Sequence, residues 1–367
     1  MQFSVANKKL SVYVNDSYSS PSIEFETIKK ATKIAEWIKR TPELRRQLEL
    51  CDPAADSAAI AQAISELERY VDPSYLTAIK TGEPASLASS NGLGWDSALY
   101  DMVVNSTAGI LSALRDVQKG EFAAASLSSG LHHASPNRGL GFCTVNSLAI
   151  AAIVAASQGL RVVILDLDAH CGGGTHAYLG EFQDYSNLIL HVDVSLSKFD
   201  HYDPDERGSW LELSDEDDYL QALERALEQV AAAKPDIVFY NAGVDIWPTV
   251  SPTIVNLRDQ KVAAAIRKQG ARCVIVMAGG YGSDEDIIPL HLGTLNAFAD
   301  VQQSTHECVN RCNKCGGRIL PIVYGYPTSN AWSSCDRGDV ILGGCVLFPG
   351  RATSRCRVCG YSTYLPF

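Results

Sequence analysis

Apolar residues fall along the chain in two alternating rhythms. Short runs that are apolar almost throughout predict strands covered on both faces: Ser11–Val14, Ala123–Leu127, Val162–Leu167, Leu188–Val194, Asp236–Asn241 and Cys273–Ala278. Between them lie stretches with helical spacing. The clearest is Asp215–Ala233, where Leu220, Leu223, Ala226 and Leu227 share one face, Ser214 stands as N-cap and acids fill the first turn. Ile23–Lys39, Ser57–Tyr70, Asp96–Val117, Thr144–Ala156 and Arg258–Lys268 predict further helices. Strand alternating with helix implies an α/β fold, a mostly parallel sheet between two helical layers. The rhythm breaks near Gln302. Beyond it the chain carries glycines, cysteines and short apolar runs without a helical period. The pattern therefore predicts a large α/β domain over residues 1–303 and a small cysteine-rich module over 304–367.

Composition narrows the class. The chain has 367 residues, 46% hydrophobic and 20% charged, with a net charge of −11. That profile is ordinary for a soluble globular protein and argues against nonspecific binding of the whole chain to nucleic acid or acidic membranes. No apolar stretch reaches the roughly 20 residues needed to span a bilayer. The opening "MQFSVANKKLSVYVND" lacks the apolar centre of a signal peptide, so a cytoplasmic protein is expected. Charge is uneven, however: residues 308–367 hold seven Lys/Arg against two Asp/Glu.

Chemistry concentrates where strands end. Val162–Leu167 runs into "DLDAHCGGGTH". With a strand period of two, Asp166, Asp168 and His170 face the same way. Charges there are costly unless paired, and a carboxylate and an imidazole two residues apart can grip one divalent ion. A catalytic metal usually takes three protein ligands and leaves one position open. "DIVFYNAGVD" supplies a further carboxylate, Asp245, after another strand. "CVIVMAGGY" ends in Tyr281, and "AAASL" leads to the pair His132-His133. The carboxyl ends of parallel strands are where open α/β folds place their sites.

These segments resemble the zinc-dependent histone deacetylase and acetylpolyamine amidohydrolase family, which has the arginase/deacetylase fold. The resemblance rests on "GLHHA" (130–134), "GFCTVN" (141–146), "DLDAHCGGGT" (166–175), "NAGVD" (241–245) and "GGYG" (279–282), in the family's order and spread over about residues 10–300. It implies a three-layer catalytic domain that hydrolyses N-acyl amides such as acetyl-lysine. Asp168, His170 and Asp245 would bind a catalytic Zn²⁺. His132 and His133 would act as general base and acid, and Asp166 would orient His132. Tyr281 would stabilise the oxyanion, and Phe142 with Gly141 would line the channel for the acylated side chain. A monovalent cation, K⁺, is a further candidate beside Asp166.

The chain departs from the family at several places. Gly173 stands where members often carry Asp or Asn supporting the second histidine. Ser128-Ser129-Gly130-Leu131 replaces a common Arg-Pro-Pro-Gly. The stretch after Asp245 looks shorter than usual, which points to a non-standard substrate. A small-molecule amidohydrolase with acetylpolyamine-like or biosynthetic substrates is therefore an alternative. A noncatalytic zinc-binding adaptor is a third reading, favoured by Gly173 alone. Other readings are weaker. Gly172-Gly173-Gly174 followed by Asp193 only loosely imitates a dinucleotide-binding turn. Cys143 and Cys171 lack the base a nucleophile needs. Two-metal arginase chemistry asks for more aspartates than "NAGVDIWP" offers.

The C-terminal module carries two knuckles, "CNKCGG" and "CRVCGY". Cys312, Cys315, Cys356 and Cys359 complete a closed structural Zn²⁺ site resembling a zinc ribbon. Cys308, Cys335 and Cys345 are spare, and a swap of one of them into the set is an alternative. Its basic balance suits contact with nucleic acid or an acidic protein. A lid or scaffold packed on the catalytic domain is the simpler reading.

Overall fold

The computed structural model describes residues 8–19, 29–129, 131–204 and 209–303, and, of the C-terminal part, 319–324, 332, 335, 340–344, 352–357 and 359–364. Eight strands form one sheet: β1 (Leu10–Tyr13), β2 (Leu48–Cys51), β3 (Ala123–Ser126), β4 (Val162–Asp166), β5 (Ile189–Ser195), β6 (Ser209–Leu213), β7 (Ile237–Gly243) and β8 (Arg272–Ala278). Their order is β2-β1-β3-β8-β7-β4-β5-β6, and every neighbouring pair is parallel. The expected parallel sheet is thus present, with all carboxyl ends on one edge.

The helices are α1 (Lys30–Arg40), α2 (Pro42–Gln47), α3 (Ser57–Tyr70), α4 (Pro73–Thr81), α5 (Ala85–Ala88), α6 (Leu99–Gln118), α7 (Ser147–Ser157), α8 (Gly173–Glu181), α9 (Tyr219–Ala233), α10 (Pro252–Lys268) and α11 (Asp284–Gln303). Side chains alternate along the strands and build two cores. Val163, Leu165, Val238, Tyr240, Ile275 and Met277 pack toward α1, α9, α10 and α11. Val162, Ile164, Phe239, Val274 and Val276 pack toward α3, α4, α6 and α7. Helix α7, "SLAIAAIVAAS", is apolar all round because it is buried almost all round. Asn146 caps it by accepting from the Ala149 N–H at 2.9 Å.

Some boundaries differ from the sequence expectation for identifiable reasons. Helix α9 starts at Tyr219, not Asp215. The Asp215 carboxylate instead accepts from the Asp218 N–H at 3.0 Å, a local turn that competes with the helix, and four consecutive acids repel inside a helical turn. Helix α10 begins six residues before Arg258, where Ser251 caps and Pro252 occupies the first turn. Strands β2 and β6, unassigned from the sequence, are edge strands of mixed burial.

Four short strands lie C-terminal to α11: β9 (Ile319–Val323), β10 (Ile341–Leu342), β11 (Ala352–Cys356) and β12 (Ser362–Tyr364). They form a second sheet of order β10-β9-β11-β12. Cys312 and Cys315 lie outside the described residues. Cys356 and Cys359 share the turn between β11 and β12, where the Gly360 N–H donates to the Cys356 carbonyl at 3.0 Å. Among the described residues no helix is long and apolar enough to cross a membrane.

Under β7, Arg258 and Asp259 are fully buried. The guanidinium donates to Asp259 at 2.8 Å and to the carbonyls of Leu167 and Gly243, while Tyr240 and Thr294 donate to the same carboxylate. Asp259→Ala leaves a buried cation unpaired and is expected to cost about 3–5 kcal/mol in urea unfolding. Tyr240→Phe, which removes one donor, should cost only about 1 kcal/mol.

Candidate active site

Strands β3, β8, β7 and β4 are neighbours in the middle of the sheet, although they are far apart in sequence. The order reverses there: chain passes from β3 to β4 across the gap that β7 and β8 fill. That is the switch point at which open parallel sheets leave a crevice. The residues after these four strands meet in it.

Asp166 ends β4, fully buried. Its carboxylate pairs with His132 Nδ1 at 2.9 Å and accepts from Asn241 Nδ2 at 2.8 Å and from the Asp168 N–H at 3.2 Å. Two residues on, Asp168 accepts from the His170 N–H at 3.0 Å. His170 Nδ1 lies 3.2 Å from Asp168 Oδ1 and 3.0 Å from Asp245 Oδ2. Asp245 also accepts from the Ala169 N–H at 3.0 Å, so the loop after β4 holds the aspartate that follows β7. The predicted ligand set is thus brought together: one donor atom each from Asp168, His170 and Asp245 lie within 4.8 Å of one another. Small residues make the approach possible. A Cβ on Gly243 would stand 2.4 Å from Asp168 Cα.

The histidine pair arrives after β3. The Thr175 N–H donates to the His132 carbonyl at 2.9 Å, and Asn146 Nδ2 donates to Thr175 Oγ1 at 2.9 Å. Helix α8 and the cap of α7 therefore fix the backbone of the pair. The two rings sit 3.9 Å apart, centroid to centroid. His132 Nε2 is 3.5 Å from Asp168 Oδ1. His133 Nδ1 meets a different carboxylate, Asp200, at 2.9 Å.

Charge in the cluster is lopsided. Burial alone would lower the pKa of His132, but Asp166 and Asp168 outweigh it and lift it to about 10. Hydrogen bonds donated to Asp168 and then to Asp245 likewise raise His170 to about 10. Burial and Asp168 raise Asp245, and burial and Asp166 raise Asp193. His133 moves the other way, lowered by burial and by the His132 cation. Two carboxylates with one imidazole, their donor atoms close together, are a set that suits a divalent metal.

Three aromatic residues in the loops of this region are exposed: Phe142, Phe199 and Tyr281, by 38%, 44% and 45%. Phe199 meets His133 edge-on at 5.0 Å and His170 at 5.8 Å. Gly141, at φ +53°, carries Phe142 past His133, where a Cβ would fall 2.6 Å from the imidazole. Burial, followed by the charges of Asp245 and Asp168, raises the Tyr281 phenol above its ordinary value.

Sequence reasoning missed four participants. Phe199 and Asp200 come from the loop after β5, which has no recognisable pattern. Asn241 lies inside a recognised motif but bore no assigned role. Lys30 is buried and donates to the Gly279 carbonyl, bracing the turn before Tyr281. The glycine run is not a phosphate cradle: the Gly172 N–H donates to the fully buried Asp193 at 2.8 Å.

Comparison with known proteins decides the relationship. The family model described as histone deacetylase domain matches residues 24–288. The chain belongs to the histone deacetylase family. A similar protein, uncharacterised, from Picosynechococcus sp. is 31% identical over 253 residues, covering 64% of this chain and 82% of that one. Histone deacetylase 2 of Arabidopsis thaliana is 31% identical over 47% of each chain. Acetylpolyamine amidohydrolase 2 of Pseudomonas aeruginosa is 31% identical over 42% of this chain and 49% of its own. The chain thus aligns with about half the length of the two named relatives. Among solved structures, an acetylpolyamine aminohydrolase from Burkholderia pseudomallei superposes with a TM-score of 0.63 at 18% identity, covering 80% of this chain and 99% of that one. The HDA15 HD domain gives 0.64 at 17%, covering 82% and 92%. At that identity these likenesses establish the fold, the arginase/deacetylase architecture.

The close approach of β7 to the loop after β4 is itself testable. Gly243→Ala is expected to lower stability by about 1–3 kcal/mol in denaturant unfolding, the range for an overpacked core position.

Proposed function

We propose that this histone deacetylase family member is a zinc-dependent deacylase that hydrolyses N-acyl amides, N-acetyl-lysine in the simplest case. Family membership makes it an amidohydrolase of the deacetylase type. The observation that carries the finer reading is the meeting of Asp168, His170 and Asp245 with a histidine pair at the ends of the central strands.

Asp168, His170 and Asp245 would hold the zinc. When bound, zinc supplies a Lewis acid that polarises the acyl carbonyl and lowers the pKa of a water. The chain's own groups do the rest. His133, neutral because burial and His132 depress it, takes a proton from the attacking water and hands it to the leaving amine. His132, held between Asp166 and Asp168, faces the developing negative charge. Tyr281, kept protonated, donates a hydrogen bond to the oxyanion. Phe142 and Gly141 on one side and Phe199 on the other wall the channel. An amide is a poor electrophile, so these groups must converge on one carbonyl.

A small acetylated amine is the second reading, favoured by the likeness to acetylpolyamine amidohydrolase 2. A monovalent cation, K⁺, beside Asp166 belongs to the zinc-dependent deacylase reading. We also propose a structural zinc on Cys312, Cys315, Cys356 and Cys359. The hairpin turn shared by Cys356 and Cys359 suits one half of such a site.

The expected zinc content is two ions per chain by elemental analysis, with Asp245→Ala keeping one. On a panel of acetyl-lysine peptides and free acetylated amines, the purified protein should release acetate. Tyr281→Phe should keep both ions and lose about 10²–10³-fold in kcat. Unchanged turnover in Tyr281→Phe would remove the tyrosine from the mechanism, and no turnover by the intact protein on any amide would refute the deacylase reading.

A further inference from the structure

Gly173 leaves His133 without the carboxylate that its own position could have offered, yet His133 is not unsupported. Asp200, from the loop after β5, places Oδ2 2.9 Å from His133 Nδ1. The contact is closed off: the side chains keep 14% and 6% of their exposure. The same oxygen accepts from the Gly174 N–H at 3.2 Å, which fixes the carboxylate from a second direction.

The two positions exclude each other. A Cβ on Gly173 would lie 2.5 Å from both the Asp200 carbonyl oxygen and Oδ1, and 2.7 Å from Cγ. Asp200 therefore fills the volume that any larger residue at 173 would take. It does so in a left-handed conformation, φ +58°, which an aspartate tolerates better than most residues. The loop is pinned on its other side by the Cys171 N–H, which donates to the Phe199 carbonyl at 3.1 Å. A glycine at 173, a strained aspartate at 200 and a backbone tie between them form one device aimed at His133.

We propose that Asp200 is the positioning residue for His133 in the deacylation. The proposal rests on that reading of the site. By accepting the Nδ1 proton, Asp200 fixes the tautomer that leaves Nε2 to exchange a proton with water and amine. Phe199, the neighbouring residue, packs edge-on against the same imidazole, so one loop sets both the channel wall and the orientation of the proton carrier.

The test uses the full-length, zinc-loaded protein, Asp200→Ala and Asp200→Asn. The substrates are the acetyl amide that the intact protein hydrolyses fastest and a phenyl ester of the same acyl group. A phenolate leaves without a proton, so the ester makes less demand on His133. For Asp200→Ala on the amide, we expect kcat to fall about 10²-fold, within the range for a misplaced acid–base group, and KM to stay within about threefold. The loss on the ester should be at least about tenfold smaller. Asp200→Asn, which keeps the size and the Gly174 contact, should fall between wild type and Asp200→Ala. A downfield imidazole N–H resonance should be present in the intact protein and absent in Asp200→Ala. Equal losses on amide and ester, or kcat unchanged in Asp200→Ala, would overturn the proposal. If Asp200→Ala does not fold, the amide-to-ester contrast in Asp200→Asn decides in the same way. An intact protein that hydrolyses neither substrate refutes the deacylase reading instead, and the N–H resonance then still reports whether Asp200 holds His133.

Discussion

Carboxylates buried at the ends of parallel strands are the constraint around which the rest of the domain is arranged. Asp166, Asp168 and Asp193 are withdrawn from water, and the Asp245 side chain keeps 3% of its exposure. Each would be costly alone. Each is instead met by backbone N–H groups of the β4 loop, by Asn241 or by an imidazole. Glycines at 172, 243 and 279 let those groups approach, because a Cβ at any of them would fall within 3 Å of one of these aspartates. The aspartates raise the pKa values of His132 and His170, and burial with Asp168 raises that of Asp245. Asp168, His170 and Asp245 are gathered there as candidate donors for a cation.

The site divides into a rigid floor and a loop-borne rim. The floor comes from the central strands β3, β8, β7 and β4, whose side chains are almost entirely buried. The rim comes from loops carrying Phe142, Phe199 and Tyr281. Loops set on a rigid scaffold can change without loss of the fold, which is how one architecture accepts different amides. The replacement of support at Gly173 by Asp200 is of the same kind: the chemical demand at His133 is kept while its source moves from helix α8 to a neighbouring loop.

The strand-end chemistry was legible because it is local. Asp166, Asp168 and His170 follow a period of two, and the apolar runs before them announce strands buried on both faces. The helix Ser57–Tyr70 was legible to the residue, since Asp56 caps it cleanly. The partner of His133 was not legible. Asp200 is 67 positions away, in a segment without periodicity, and only the folded chain brings the two together. Gly173 alone therefore suggested a deficiency where the structure holds a substitution. The edge strands β2 and β6 escaped notice because mixed burial erases the pattern that central strands show. In the acidic run Asp215–Asp218, composition suggested a first helical turn and the side-chain turn of Asp215 prevailed.

The most direct measurement of the central claim is anomalous diffraction at the zinc edge from crystals of the zinc-loaded protein. The account predicts a strong peak within bonding distance, about 2.0–2.2 Å, of an oxygen of Asp168, Nδ1 of His170 and an oxygen of Asp245. An ordered Asp168–His170–Asp245 cluster with no peak between its donor atoms, in crystals that bind zinc elsewhere, would contradict it.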